Sequence, residues 1–359
     1  MSRVKVGVLG ATGIVGQRYV TLLHNHPWFE LVAVAASEAS AGKKYSEAAK
    51  WFIEAPLPEN AAELKVLKTS PDEMKSYGVE LVFSALPSEV ALKVEEDFAK
   101  EGFFVVTDAS AHRMDPDVPI AIPEVNPDHL EIIEVQRRRR GWEGFIVTSP
   151  NCTITGLALT LKPLLDKFGI KRVLVSTMQA LSGAGYYGVT SMAILDNIIP
   201  YIKGEEEKVE RESYKILGKF DGEKIVNASF KLSASCHRVN VLDGHTEAVF
   251  VELESSASVE DVKKAFKEFS SEPQKLKLPT APTPPIMVRE EQDRPQPRLD
   301  RYAGHPERAR GMAVVVGRIR KDSAFENGVK YVLLSHNTIR GAAGNSVLIA
   351  ELLKAKGLI

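Results

Sequence analysis

Residues 4–16 read "VKVGVLGATGIVG", a β-branched apolar run that ends in Gly10-x-x-Gly13-x-x-Gly16. The run predicts a buried first strand over 3–11, and "GIVGQRYVTLLHNH" (13–26) predicts the helix that follows. Glycines between a strand and a helix let the backbone turn tightly and approach a pyrophosphate. The helix N-terminus then offers free N–H groups and the positive end of its dipole. The first gap is one residue longer than in the usual G-x-G-x-x-G, and a plain strand–helix turn without a ligand fits the glycines too. Working outward, "ELVAVAAS" (30–37), "ELVFSALP" (80–87) and "FFVVTDAS" (103–110) read as further buried strands. "SEVALKVEEDFAKEG" (88–102) reads as an amphipathic helix stopped by Gly102. Short apolar strands alternating with helices predict a Rossmann-like, doubly wound parallel sheet over the first 150 residues.

The end of the second strand bears on the nucleotide. An NAD site usually offers a carboxylate there to the ribose 2′-hydroxyl. Here Ser37 is followed by Glu38, Ala39, Ser40, Ala41, Gly42 and Lys43. Hydroxyls and an ammonium suit a 2′-phosphate, so NADP is expected; Glu38, if it pointed inward, would argue for NAD.

Beyond residue 150 the pattern becomes α+β, with a mixed sheet flanked by helices. "KRVLVSTMQA" (171–180), "GMAVVVGRIRKD" (311–322) and "GVKYVLLSHN" (328–337) read as strands, the last two as a hairpin. "SASCHRVNVLDGHTEAVFVELE" (233–254) reads as two strands joined by a turn. "GEEEKVERESYKILGKF" (204–220), "SVEDVKKAFKEFSSEP" (258–273) and the closing "TIRGAAGNSVLIAELLKAKG" read as helical. The arginine run 137–140 is expected on a solvated helix face. With 359 residues, 44% hydrophobic, 26% charged and a net charge of −1, the chain reads as an ordinary two-domain protein with no nucleic-acid or membrane partner. No apolar stretch approaches the roughly 20 residues of a membrane span. A strand pattern starts at once after "MSR", without a signal peptide, so a cytoplasmic location is expected. Two cysteines supply neither a disulfide framework nor a cysteine-built zinc site, and no metal is expected.

One of those cysteines lies in "SPNCTITG" (149–156), between an apolar strand and an apolar helix. Cys152 therefore falls at a helix start, where the dipole and free N–H groups are expected to lower a thiol below its free pKa of about 8.5 and make it a nucleophile. Polar neighbours Asn151, Thr153 and Thr155 argue against an apolar pocket, whereas Cys236, on a strand, reads as structural. His245 lies seven residues after Arg238 (245 − 238 = 7), across a turn at "LDG". A hairpin would bring a base beside an anion-binding arginine; a surface histidine remains open.

Taken together, "GATGIVGQ", "SPNCTITG", "MQALSGAG" (178–185), "HRVNVLDGHTEAVFVEL" and "HNTIRGAAGNSVLIAELL" resemble the aspartate-semialdehyde dehydrogenase family, in its archaeal and fungal branch, along nearly the whole chain. The resemblance implies NADPH-dependent reductive dephosphorylation of L-4-aspartyl phosphate to the semialdehyde, a step toward lysine, diaminopimelate, threonine, methionine and isoleucine. It implies Cys152 as the nucleophile of a thioacyl enzyme, Gln179 as the group that orients the acyl intermediate and His245 as acid/base. Arg238 would hold the substrate α-carboxylate, Glu212 the α-ammonium, and Lys215 and Arg113 the phosphate, with Asn151 beside the substrate. Cofactor contacts would come from Gly10, Thr12, Gly13, Ile14, Val15, Gly16, Ser37, Ser40, Lys43, Ser84, Ser182, Gly183 and Asn337. It also implies a nucleotide domain of residues 1–150 and 337–359, a catalytic and dimerisation domain of 151–336, and a homodimer or homotetramer. The alternatives are a malonyl-CoA or succinyl-CoA reductase on the same scaffold and, in another class, a non-catalytic NADP-binding regulator. Asn151 followed by Cys152 and Thr153 favours the phosphate enzyme.

Overall fold

The computed structural model describes residues 3–359. β1 (Val4–Leu9), β2 (Phe29–Ala35), β3 (Val66–Leu67), β4 (Leu81–Ser84), β5 (Phe104–Thr107) and β6 (Phe145–Thr148) form one all-parallel sheet in the order β3-β2-β1-β4-β5-β6. Their runs of Val, Ile, Leu and Phe suit strands buried on both faces. The strand order reverses between β1 and β4. In such sheets a ligand crevice opens at the carboxyl ends of the strands on either side of that reversal. Helix α1 (Ile14–Leu23) leaves the end of β1 there.

Helix α2 (Cys152–Phe168) starts a second layer. It lies under a mixed sheet ordered β10-β7-β11-β14-β13-β12. The strands are β7 (Ile170–Gln179), β10 (Lys231–Arg238), β11 (His245–Leu253), β12 (Ile286–Val288), β13 (Val314–Asp322) and β14 (Gly328–Ser335); β8 (Lys219–Phe220) and β9 (Ile225–Val226) make a small separate ladder. Ile154, Leu157, Leu161 and Leu164 of α2 share one core with Val173, Val249, Val251 and Leu333 of the sheet. β13 and β14 form the expected antiparallel hairpin.

The two strands within 233–254 do not pair with each other. β7 lies between them, parallel to β10 and antiparallel to β11. The short link 239–244 crosses the end of β7 and is bonded to it there: Val239 N donates to Gln179 O at 3.0 Å and Leu181 N to Val241 O at 2.8 Å. The crossing sets Arg238, Gln179 and His245 side by side at one end of the sheet.

Helix α3 spans Glu205–Ile216, and helix α4, near the end of the chain, spans Gly344–Ala355. It returns to the first sheet. Val347, Leu348, Ile349, Leu352 and Leu353 pack with Val6, Val8, Tyr19 and Phe83. The buried Glu351 carboxylate fixes it, accepting from Thr280 N at 3.1 Å and lying 2.9 Å from His26 Nε2. The arginine run is laced with ion pairs rather than simply solvated. Arg140 binds Asp115 at 2.9 Å and Asp117 at 2.6 Å, and Arg138 and Arg139 both reach Glu223, because acidic loops fold back onto that helix. Among the described residues no helix is long and apolar enough to cross a membrane.

Candidate active site

A cleft of about 720 Å³ runs from the glycine turn to Cys152. Its nucleotide end is bare backbone. At Gly10, whose φ is +73°, a Cβ would sit 2.6 Å from Ala85 O; at Gly16 it would sit 2.3 Å from Gly10 O. At Gly13, the exposed N-cap of α1, nothing lies closer than 3.6 Å. Two glycines thus tighten the turn while the third leaves room in front of the helix N-terminus. Gly13, Ile14, Val15 and Gly16 line the cleft opposite Ala85, Leu86 and Pro87.

Several expected cofactor contacts lie off this wall. Gly10 and Thr12 shape the turn behind it; Thr12 O accepts from Gln17 Nε2 at 3.1 Å. Ser84 is fully buried, and its hydroxyl donates inward to Glu95 Oε1 at 2.6 Å, away from the cleft. Ser37, Ser40 and Lys43 sit on the turn after β2, where Ser40 N donates to Ser37 O at 2.9 Å; Ser37 and Lys43 are exposed beyond the cleft mouth.

At the other end, Cys152 opens α2, capped by the Asn151 side chain, which accepts from Thr153 N at 2.9 Å. Cys152 Sγ lies 3.2 Å from His245 Nε2, and Ala180 N donates to His245 Nδ1 at 3.0 Å. Arg238 lines the same wall and spends one N–H on Ala180 O at 2.6 Å. Gly183 lets this pair close up, since a Cβ there would sit 3.1 Å from Arg238 Nη1 and 3.4 Å from His245 Nε2. Asn337 accepts from Gly244 N and donates to Ser182 Oγ, both at 2.8 Å, and Ser182 Oγ donates to Asp243 at 2.7 Å. A π-helical turn, Ile339–Ala343, covers Cys152 from behind. It is held by the fully buried pair of Arg340 with Glu124 at 2.7 Å.

The carboxylate facing the cleft is Glu205, not Glu212. Glu205 Oε1 accepts from Gln179 Nε2 at 2.8 Å, Asn151 Nδ2 at 3.0 Å and Thr153 Oγ1 at 3.4 Å. Lys208, one turn along α3, lines the cleft as well. Glu212 and Lys215 lie two turns further on and serve the fold. Glu212 pairs with Arg113 at 3.1 Å and accepts from Asn151 N at 2.9 Å. Lys215 Nζ donates to the carbonyls of Arg113, Asp115 and Val118, each at 2.7 Å, so it is not free to hold a phosphate. Arg113 does line the cleft, while also donating to Ser149 O and Asp108 O. Both pairs have the three-residue Glu–Lys spacing, and seven residues are nearly two full turns, so periodicity could not choose between them. The first turn of α3 is the one that packing sets beside the end of β7 that bears Gln179.

The expected depression of the Cys152 thiol does not hold in this state. Burial, and then the negative charge of Glu205, push it up to about 12 against the opposing pull of Arg238, Arg113 and the Thr153 N–H. His245 is driven down to about 3 by burial and by Arg238 and His336. Both shifts favour the neutral forms of the pair. Cys236 is fully buried, as its strand position implied. Among the described residues no cluster of His, Cys, Asp or Glu could hold a metal ion.

Comparison with known proteins agrees with this architecture. Residues 5–133 match the semialdehyde dehydrogenase NAD-binding domain, and residues 161–340 match the semialdehyde dehydrogenase dimerisation domain. An aspartate-semialdehyde dehydrogenase of Methanothermobacter thermautotrophicus is 56% identical, covering 98% of this chain and 99% of that one. A crystal structure of the Candida albicans aspartate-semialdehyde dehydrogenase with NADP superposes with a TM-score of 0.90 at 45% identity, with each chain covered in full. A Metallosphaera sedula protein named malonyl CoA reductase (NADP) is 43% identical over 99% of this chain and 98% of its own. With its glycine turn, its cysteine at a helix start and this similarity over its whole length, the chain belongs to the aspartate-semialdehyde dehydrogenase family.

Proposed function

We propose that the chain reduces L-4-aspartyl phosphate to L-aspartate 4-semialdehyde with NADPH, releasing phosphate, through a thioester on Cys152. The carrying observation is a sulfur 3.2 Å from an imidazole nitrogen, on a cleft wall shared with Arg238 and Glu205. Arg238 has one N–H committed to Ala180 O, and its other donors suit the substrate α-carboxylate. Glu205 Oε1 is saturated by three donors, which leaves Oε2 for the α-ammonium. Lys208 and Arg113 place positive charge where the phosphate would lie. Gln179 Nε2, held toward the cleft by Glu205, orients the acyl oxygen. An acyl phosphate is activated enough for sulfur to displace phosphate: the S–C bond forms and the C–O bond to phosphorus breaks.

NADP fits the nucleotide end, where the open Gly13 N-cap suits the pyrophosphate and Ser37, Ser40 and Lys43 border the expected 2′-phosphate position. Ser182, Gly183 and Asn337 form the wall nearest the sulfur, suited to the nicotinamide. The cofactor supplies the hydride that converts the thioester to the aldehyde. A cytoplasmic homodimer or homotetramer, without nucleic-acid or membrane partners, goes with this role. The uncovered face of the second sheet, with Leu174, Phe250 and Phe325 around a shallow cavity, suits the pairing surface.

The test is semialdehyde oxidation with NADP and phosphate, run beside malonyl-CoA reduction with NADPH. Phosphate-dependent turnover lost in Cys152→Ala supports the proposal. Turnover of malonyl-CoA alone replaces it with the thioester reductase, and nucleotide binding without turnover replaces it with a regulatory protein.

A further inference from the structure

The cleft wall formed by Ser182 and Asn337 hangs on the link 239–244. Gly244 N donates to Asn337 Oδ1, Asn337 Nδ2 donates to Ser182 Oγ, and Ser182 Oγ donates to Asp243 Oδ1. Ser182 N also donates to Leu242 O at 3.1 Å. Yet the link itself is poorly buried. Residues 239–243 are all partly or fully exposed, and Leu242 is 68% exposed. Packing alone does not fix it, and the Asp243 carboxylate meets a buried cation from the other domain. Arg18 Nη2 lies 3.7 Å from Asp243 Oδ2, on a side chain only 5% exposed. Arg301, on the catalytic side, reaches only the Asp243 carbonyl, at 3.5 Å. Arg18 belongs to the helix that begins at the glycine turn. It follows Ile14 by four residues, so the two share one face of α1, and Ile14 lines the cleft. The other Arg18 bonds fix its guanidinium: Nε donates to Thr338 Oγ1 at 3.1 Å, and Nη1 and Nη2 donate to Glu54 at 2.9 and 3.1 Å. Thr338 lines the cleft beside Asn337. One planar fork therefore ties α1 to two pieces of the catalytic wall, the link through Asp243 and the segment after β14 through Thr338.

We propose that Arg18 is a positioning residue, which holds the wall of Ser182 and Asn337 in register with the helix whose N-terminus receives the pyrophosphate. The inference rests on the reading of the cleft given above, with the nicotinamide against that wall. Arg18 itself is not on the cleft wall and acts through Asp243 and Thr338. The two halves of the nucleotide lie against different domains in this reading. A ligand that bridges two bodies gains its full contact with both only while their spacing is held. The pyrophosphate end is backbone at the start of α1, which loss of the Arg18 side chain leaves in place. Removing the tie frees the wall instead, so the loss falls on the nicotinamide half. Neutralising Asp243 has the same effect by another route, because an amide there still accepts from Ser182 but no longer attracts Arg18. Glu54 is the outer partner, 51% exposed, and its loss leaves the tie to Asp243 intact.

The test compares the calorimetric binding of two ligands to the whole enzyme: NADP, and 2′-phospho-ADP-ribose, which lacks only the nicotinamide. Arg18→Met and Asp243→Asn should each raise the Kd for NADP at least about fivefold, within the range that coupled side chains show, and leave that of the fragment within about twofold. The double variant should bind NADP no more weakly than the weaker single variant, because both changes remove one contact. Glu54→Gln should leave both ligands within about twofold. Equal weakening of NADP and the fragment overturns the proposal, since Arg18 would then act on the nucleotide domain as a whole. So do an unchanged Kd for NADP, additive losses in the double variant, or a Glu54→Gln effect as large as that of Asp243→Asn. If Arg18→Met does not fold, the isosteric Asp243→Asn set beside Glu54→Gln decides the question by the same ratio. If the wild type oxidises no semialdehyde, the functional reading falls instead, and the comparison of the two ligands still decides this one.

Discussion

Gly341→Ala tests how closely the π-helical turn braces the nucleophile. A Cβ at this position would lie 2.8 Å from Cys152 O and 2.9 Å from both Cys152 Cα and Cβ. Ordinary contact begins near 3.4 Å, so the two backbones must part by about 0.5–0.6 Å (3.4 − 2.9 and 3.4 − 2.8). Neither side yields easily. Asn151, next to the cysteine, has its N–H on Glu212 at 2.9 Å and its carbonyl accepting from Thr155 N at 3.2 Å. The π-helical turn is held by Arg340 on Glu124. Overpacking of this kind costs about 1–3 kcal/mol of stability. A displacement approaching 1 Å at a reacting group costs up to about 10² in rate, so kcat should fall by about tenfold to about a hundredfold. The assay is steady-state semialdehyde oxidation at saturating NADP and phosphate, with thermal unfolding measured on the same preparation. A folded variant whose kcat stays within about twofold of wild type would refute the brace.

Glu205→Gln should lower kcat/KM for the semialdehyde by about 10–150-fold, the worth of one hydrogen bond to a charged group, with little change in Tm. Glu212→Gln should instead act on stability, since breaking a buried ion pair costs about 3–5 kcal/mol; urea unfolding reads this, and exchanged phenotypes would return the substrate role to Glu212. A thiol raised toward 12 keeps its proton at neutral pH. Iodoacetamide should therefore modify Cys152 of the free enzyme more slowly than it does free cysteine, with a rate still climbing above pH 9. A plateau near neutrality would show a depressed pKa.

The first sheet was legible because its strands are local, apolar and punctuated by glycine, and a strand–glycine–helix turn has few structural meanings. Strand pairing in the second sheet was not. "SASCHRV" and "GHTEAVFVEL" carry strand signals, but nothing in them says that 171–180 inserts between the two. The cysteine's place at a helix start could be read locally, whereas its proton affinity depends on Glu205, some fifty residues later, and on burial created by two layers meeting. The same holds for α3. Helical spacing announces a Glu–Lys face, and only packing against β10 decides which turn of that face looks into the cleft. His245 was readable as a candidate by its neighbours. The backbone amide that holds its ring, Ala180 N–H, lies just past β7, sixty-five residues earlier, and leaves no trace in composition.

The return of α4 to the first sheet bears on how the chain is made. Strands β1 to β6 are complete by residue 148, yet the side chains that seal one flank of their core come from residues 344–355. At ordinary synthesis rates of about 5–20 residues per second, those two hundred residues separate the events by roughly 10–40 s. Through that interval Val6, Val8 and Phe83 lack their covering helix, so the nascent amino-terminal half exposes apolar surface that the finished fold hides. The core of the first sheet is therefore finished only once α4 has been made.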